Sequence, residues 1–251
     1  MPCPVDAEGL DIERAPKAAA EARLAYVTPS HQFPTGAVMP LARRLALLAW
    51  ARNARAYVVE DDYDSEYRYG GRPVEAVQAL DTAGQVIYVG TMSKTLFPSL
   101  RIGFLVVPPA LVQPFRAIKN LSDRHTSTLQ QLVLADFIAE GHFERHIRRV
   151  RTQNARRREA LLKALDEVFG HRVSVQGSNA GLHLILWFRD RPAADAPAIV
   201  AAAAAAGVGV YPLGPYYLGT PQNAGLLLGY ASLSEHEIEA GIRLLGRSLA
   251  S

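Results

Sequence analysis

The sequence predicts an α/β protein in two parts, and three observations carry that expectation. Apolar, β-branched runs alternate with helical patterns over the first part of the chain, as in an open sheet layered with helices. A long stretch from His142 to Phe169 reads as one helix. Shorter apolar runs and two further helical stretches follow it, which suits a smaller α+β domain. The expected division is therefore 1–145 and 146–251, bridged by the helix over 142–169.

Taken in order, strands are expected near Leu24–Val27, Ala56–Val59, Val86–Val89 and Gly103–Val107. An amphipathic helix from about Leu41 to Arg55 lies between the first two, with Leu41, Leu45 and Leu48 on one face. Pro108-Pro109 closes the fourth strand, since proline fixes φ and donates no backbone hydrogen bond. A helix carrying Leu129, Leu132, Val133 and Phe137 inward follows and ends near Gly141. Beyond the long helix, strands are expected near Val173–Gln176, Leu182–Phe188, Gly209–Tyr211 and Leu226–Gly229. Helices near Ala198–Ala206 and Ser234–Leu249 cover them, Ser234 acting as N-cap with Glu237 completing a capping box.

Composition bounds the function. With 251 residues, 49% hydrophobic and 20% charged, the chain can bury a substantial core. No apolar run reaches the length of a membrane span, and the first residues lack the pattern of a signal peptide. Cys3 is the single cysteine, so no internal disulfide forms, which fits a reducing cytoplasm. A net charge of +3 is too small to argue for nucleic-acid binding.

Two segments carry chemistry. Lys94, one of four lysines with Lys17, Lys119 and Lys163, follows the apolar run Val86-Ile87-Tyr88-Val89-Gly90. Thr91, Ser93 and Arg101 surround it in sequence. A primary amine condenses with an aldehyde, while small hydroxyls and a guanidinium fork hold a phosphate. The second strand ends in Glu60-Asp61-Asp62-Tyr63-Asp64. In open α/β sheets ligands sit beyond the carboxyl ends of strands, so the acids and the lysine are expected at one edge. An aspartate facing a pyridine nitrogen keeps it protonated, a charge-assisted bond of about 1.5–3 kcal/mol. Either segment alone also fits a solvated strand end or a solvated acidic loop.

Together these residues resemble the aminotransferase-like, fold-type I pyridoxal-phosphate family, and within it the effector domain of MocR/GabR-type bacterial transcription regulators. The resemblance runs in order through Val27-Thr28-Pro29-Ser30-His31-Gln32-Phe33-Pro34-Thr35-Gly36, Glu60 to Tyr69, Thr91 to Gly103, Pro215 to Gly219 and Leu226 to Tyr230. It implies a three-layer large domain with a smaller C-terminal α+β domain. It also implies pyridoxal 5′-phosphate as cofactor, held as an internal aldimine on Lys94, with Asp61 at the pyridine nitrogen and Tyr63 near the phenolic oxygen. Arg101 with Thr91 or Ser93 holds the phosphate, and Asp62 is the reserve for Asp61. The implied partners are an amine or amino-acid effector and a second copy in a homodimer. DNA is contacted only through an N-terminal domain outside this chain. By the same resemblance the chain begins well inside the large domain. The large domain is then incomplete at its N-terminus and cofactor affinity is low. A pyridoxal-phosphate-dependent aminotransferase, or a non-functional fragment of either protein, is the alternative.

Two departures from the family bear on activity. Phe33-Pro34-Thr35-Gly36 stands where ordinary aminotransferases have Asn-Pro-Thr-Gly, so the asparagine contact to the ring oxygen is lost; Gln32 or His31 is available to replace it. Leu227 falls where an arginine grips the substrate carboxylate, a bidentate contact that an aliphatic chain does not reproduce. Tyr211, Tyr216 and Tyr217 are candidates for shaping ligand choice. Other features carry less. His142 and His146 share a helix face but have no third metal ligand in sequence. The arginines from Arg145 to Arg158 run all round a helix among Glu144 and Glu159. Gly207-Val208-Gly209 lacks the third glycine of a dinucleotide fingerprint, and no Gly-x-Ser-x-Gly elbow is present.

Overall fold

The computed structural model describes residues 1–70 and 74–250. The chain divides into two units, the first made by residues 1–32, 37–66 and 74–149 and the second by 33–36, 67–70 and 150–250.

In the first unit a small hairpin, β1 (Val5–Asp6) with β2 (Gly9–Leu10), precedes β3 (Leu24–Val27), α1 (Leu41–Ala54), β4 (Tyr57–Asp62), α2 (Val77–Leu80), β5 (Val86–Thr91) and β6 (Gly103–Val106). The sheet order is β3-β4-β5-β6; β3, β4 and β5 run parallel and β6 returns antiparallel to β5. Helices α3 (Val112–Ser122) and α4 (Thr128–Ala139) follow, and α5 (His142–Phe169) begins here and continues into the second unit.

The four strands form where the apolar runs place them, but β4 extends through Glu60, Asp61 and Asp62. Its acids are part of the ladder because one of them is fully compensated. Glu60 is buried and accepts from the Val77 and Gln78 backbone N–H groups, both at 2.8 Å, at the start of α2. Arg44 of α1 lies 3.7 Å away, itself completely buried. Its guanidinium donates to the carbonyls of Met39 at 2.9 Å, Glu75 at 3.0 Å and Pro29 at 3.0 Å.

This pair also turns α1. The buried stripe is Arg44, Leu47, Leu48 and Ala51, an i, i+3, i+4, i+7 set. Leu41 and Leu45, expected to face inward, are about half exposed (49% and 50%). An arginine with three carbonyl acceptors occupies the core-facing place that periodicity assigns to leucine. A second correction falls on α4: Leu129, Leu132 and Val133 are exposed by 72%, 59% and 59%. Their periodicity is real, but among the described residues nothing covers them. Phe137 alone of that set finds a partner, stacked on His142 at 5.6 Å.

In the second unit β7 (Val173–Gln176), β8 (His183–Pro192), α6 (Ala196–Ala205), β9 (Tyr211–Pro212), β10 (Asn223–Gly229) and α7 (Glu235–Ser248) form an antiparallel sheet, order β7-β8-β10-β9, with two helices. Its core joins Leu161, Leu165 and Phe169 of α5 to Leu184, Leu186 and Phe188 of β8, Ile199 of α6, Leu226 and Leu228 of β10, and Ile238, Ile242 and Leu245 of α7. The two-residue alternation in β8 and β10 sends every second side chain into this core. The capping box forms as expected: Ser234 Oγ accepts from Glu237 N at 3.2 Å, and Glu237 Oε2 accepts from Ser234 N at 2.7 Å.

Two stability outcomes follow. Arg44→Met leaves Glu60 buried without its counter-charge and should destabilise the first unit by about 3–5 kcal/mol, the usual cost of breaking a buried pair from one side; faster hydrogen exchange in β4 amides, with those of β8 unchanged, checks it. Ser234→Ala removes one orphan-donor acceptor at the start of α7 and should cost about 1 kcal/mol, read from a lower urea midpoint of the second unit.

Candidate functional site

Alternation along β4 separates its three acids. With Glu60 turned to the α1 face, Asp62 shares that face and Asp61 takes the opposite one. Asp62 Oδ2 accepts from the hydroxyls of Tyr88 and Ser65, both at 2.7 Å. Burial, and next the bond to Asp62, push the Tyr88 phenol upward. Asp61 accepts from the Tyr26 hydroxyl of β3. Burial and then that bond push Tyr26 up to about 12, so Tyr26 stays a proton donor to Asp61 across the physiological range.

Past β4 the chain turns, and Tyr63 and Asp64 both meet His31. The Tyr63 hydroxyl donates to the His31 carbonyl at 2.9 Å and lies 3.2 Å from His31 Nδ1. His31 Nδ1 and Asp64 Oδ2 are 2.9 Å apart, with both side chains buried. Burial raises the Asp64 carboxyl above its ordinary range, the His31 contact and the Lys94 charge drawing it back down. Tyr63 is raised first by burial and then by Asp64, Asp61 and Asp62.

The parallel register places Asp61 beside Val89 and Asp62 beside Gly90, so the acids lie at the end of β5 from which Lys94 emerges. The Lys94 side chain is exposed, while the backbone around it is fastened. Thr91 Oγ1 accepts from Ser93 N at 3.1 Å, Met92 N donates to Ile102 O at 3.0 Å, and Leu96 N to Met92 O at 2.9 Å. The Thr95 carbonyl accepts from His146 Nε2 of α5 at 2.9 Å. Thr91 pairs with Gly103 in the antiparallel ladder, and Arg101 lies two residues before Gly103 in sequence. Arg101 is exposed and caps a 3-10 turn (Pro98–Leu100) at φ 52°, a left-handed conformation uncommon for a side chain of its size.

Of the residues expected at the site, Lys94, Asp61, Thr91, Ser93 and Arg101 thus belong to one end of one sheet, and Tyr63 follows β4 directly. Asp62, the reserve for Asp61, is bound on the other face. Between Gln32 and His31, it is His31 that meets Tyr63. Leu227 lies in β10 beside Ile185 and Tyr211, on the side opposite the buried Leu226 and Leu228. In the same unit Tyr216 packs edge-on to Phe33 at 5.2 Å and Tyr217 to Trp187 at 6.2 Å. Sequence reasoning misses Tyr26 altogether, and it marks Asp64 only as one of an acid run and His146 only by its spacing from His142, because each acts through a contact distant in the chain.

The donor set fits an anionic aldehyde: an exposed amine, two hydroxyls and a guanidinium on one loop, and an aspartate at the neighbouring strand end. Two buried carboxylate oxygens of the acid cluster, Asp62 Oδ1 and Asp64 Oδ1, have no hydrogen-bond partner among the described residues, which is uncommon and costly for buried acceptors. A separate cavity of about 430 Å³ in the second unit is lined by Gln153, Arg156, Arg157, Ser234, Glu235 and His236; its arginines are offset by Glu235, and the α7 cap beside it is already filled by Glu237.

Comparison with known proteins bears on the family and the fold. Residues 4–245 match the family described as aminotransferase class I and II. The chain is 44% identical over 222 residues to the HTH-type transcriptional regulator YhdI of Bacillus subtilis, covering 88% of this chain and 47% of that protein. It is 40% identical over 245 residues to the probable rhizopine catabolism regulatory protein MocR of Rhizobium meliloti, covering 98% and 49%. The chain therefore spans about half the length of these curated relatives. Among solved structures it superposes on LysN, the α-aminoadipate aminotransferase of Thermus thermophilus, complexed with N-(5′-phosphopyridoxyl)-L-leucine. The TM-score is 0.88 at 30% identity, over 100% of this chain and 65% of that one. The chain belongs to the aminotransferase class I and II family.

Proposed function

We propose that the chain is the pyridoxal-phosphate-binding, amine-sensing part of a bacterial MocR/GabR-type transcription regulator. The observation that carries this reading is the exposed amine of Lys94, set on a fastened loop at the sheet end where β4 presents Asp61. Bound there, pyridoxal phosphate supplies a reactive aldehyde and an electron-withdrawing ring. Lys94 is the residue that holds the aldehyde covalently. Asp61, oriented by Tyr26, holds a proton at the ring nitrogen, and Tyr63 faces the phenolic oxygen. Thr91, Ser93 and Arg101 take the phosphate, the guanidinium by a charge-assisted pair of bonds. With the cofactor bound, the Lys94 amine would be the group that a primary-amine effector replaces.

Leu227 favours sensing over turnover. The place where aminotransferases grip a substrate carboxylate is aliphatic and half-buried here, so an amino acid gains no bidentate anchor from it. That relatives of this chain are named HTH-type transcriptional regulators supports a reading in which a domain beyond these 251 residues contacts DNA. A homodimer in the cytoplasm completes the proposal.

Mixing the purified chain with pyridoxal phosphate, reducing with borohydride and mapping the adduct by peptide mass tests the site. The expected outcome is an adduct confined to Lys94, at low occupancy because cofactor affinity is low, that an added primary amine suppresses. Labelling scattered over Lys17, Lys119 and Lys163, or none, overturns the reading. Sustained amino-group transfer between an amino acid and a keto acid, abolished by Lys94→Ala, would make the chain an aminotransferase instead.

A further inference from the structure

We propose that Asp64 and His31 are a positioning pair for the Tyr63 hydroxyl, an inference that rests on the reading of Tyr63 as the group facing the ring oxygen. Neither residue needs to touch the ligand; Asp64 acts on Tyr63 through His31.

The geometry is specific. A tyrosine hydroxyl has one proton, and that of Tyr63 goes to the His31 carbonyl at 2.9 Å. The same oxygen lies 3.2 Å from His31 Nδ1. The hydroxyl thus lies against both the backbone and the ring of one residue. The ring keeps that place only while its own orientation is fixed, and Asp64 Oδ2, 2.9 Å from Nδ1, is the group that fixes it. A single proton lies between that nitrogen and that oxygen. Both side chains are essentially out of contact with water, at 0% and 1% exposure, where a hydrogen bond is stronger and less easily exchanged for solvent.

Asp62 is bound by Tyr88 and Ser65, and Asp61 by Tyr26, so the three aspartates have separate partners. Phe33 stands where ordinary aminotransferases carry the asparagine that steadies the ring oxygen. His31, two residues earlier, supplies a polar substitute that works through Tyr63. Orienting partners behind a contact residue commonly change affinity as much as some contacts do.

Two measurements test this. In the cofactor-free chain, Asp64→Asn and His31→Gln should each displace the NMR signals of the Tyr63 ring while leaving those of Tyr88 in place, and Tyr63→Phe should displace the His31 ring signals. Unchanged Tyr63 signals in both variants would overturn the proposal, whether or not pyridoxal phosphate binds. In the presence of pyridoxal phosphate, Tyr63→Phe and Asp64→Asn should each weaken binding about tenfold, with the Lys94 adduct still forming. The double variant should lose no more than either single one, because both remove the same interaction. A product of the two losses, about a hundredfold, would show independent roles and sink the proposal. Absence of a Lys94 adduct in the unsubstituted chain counts against the proposed function instead, and the cofactor-free signals still decide the positioning role.

Discussion

Burying a guanidinium beside a carboxylate is unfavourable unless nearly every donor and acceptor is met. Arg44 and Glu60 satisfy that condition with three carbonyls on one side and two backbone N–H groups on the other. In doing so they draw together the segment after β3, the helix α1, the strand β4 and the start of α2. They also fix the register of β4. A one-residue slip would send Asp61 into the core and Glu60 to the open face, since strand side chains alternate. The face that each acid of the cluster shows is thus decided by a residue that takes no part in the chemistry.

The same division of labour recurs around Lys94. The backbone on either side is tied by Thr91, Met92, Leu96 and the His146 contact to Thr95, while the side chain is exposed to solvent. An amine that must capture an aldehyde and later yield it to a competitor needs a fixed base and an accessible tip. A buried lysine would meet the first need and fail the second, because desolvation disfavours its charged form and restricts access. Arg101 extends the pattern: its backbone is held left-handed by the turn it caps, leaving an exposed guanidinium.

What the sequence discloses and what it withholds differ by the range of the interaction. Strand runs, the long helix over 142–169 and the Ser234–Glu237 capping box depend on residues close together in the chain, and all are legible. The site lysine and the acid cluster are legible because their residue types are rare at strand ends. Arg44 is not, since one arginine in an amphipathic helix looks solvent-facing until its three carbonyl partners, up to 31 residues away, are known. Tyr26, and the pairing of Asp64, escape for the same reason: their partners lie 35 and 33 residues distant. The leucines of α4 mislead in the other direction. Periodicity reports that a face is apolar; it does not report that a described element covers it.

The acid cluster shows how one short block supports several functions at once. Consecutive like charges repel, and the chain separates them by strand alternation and then by a turn: Glu60 to Arg44, Asp61 to Tyr26, Asp62 to Tyr88 and Ser65, Asp64 to His31. The partners are a guanidinium, two phenols with a serine hydroxyl, and an imidazole, so the four acids do not share one environment. Glu60 is neutralised by a cation and serves stability. Asp61 meets a phenol, and in the function proposed it is the acid that faces the ring nitrogen. Asp64 meets the His31 imidazole, and in the inference drawn above it serves orientation.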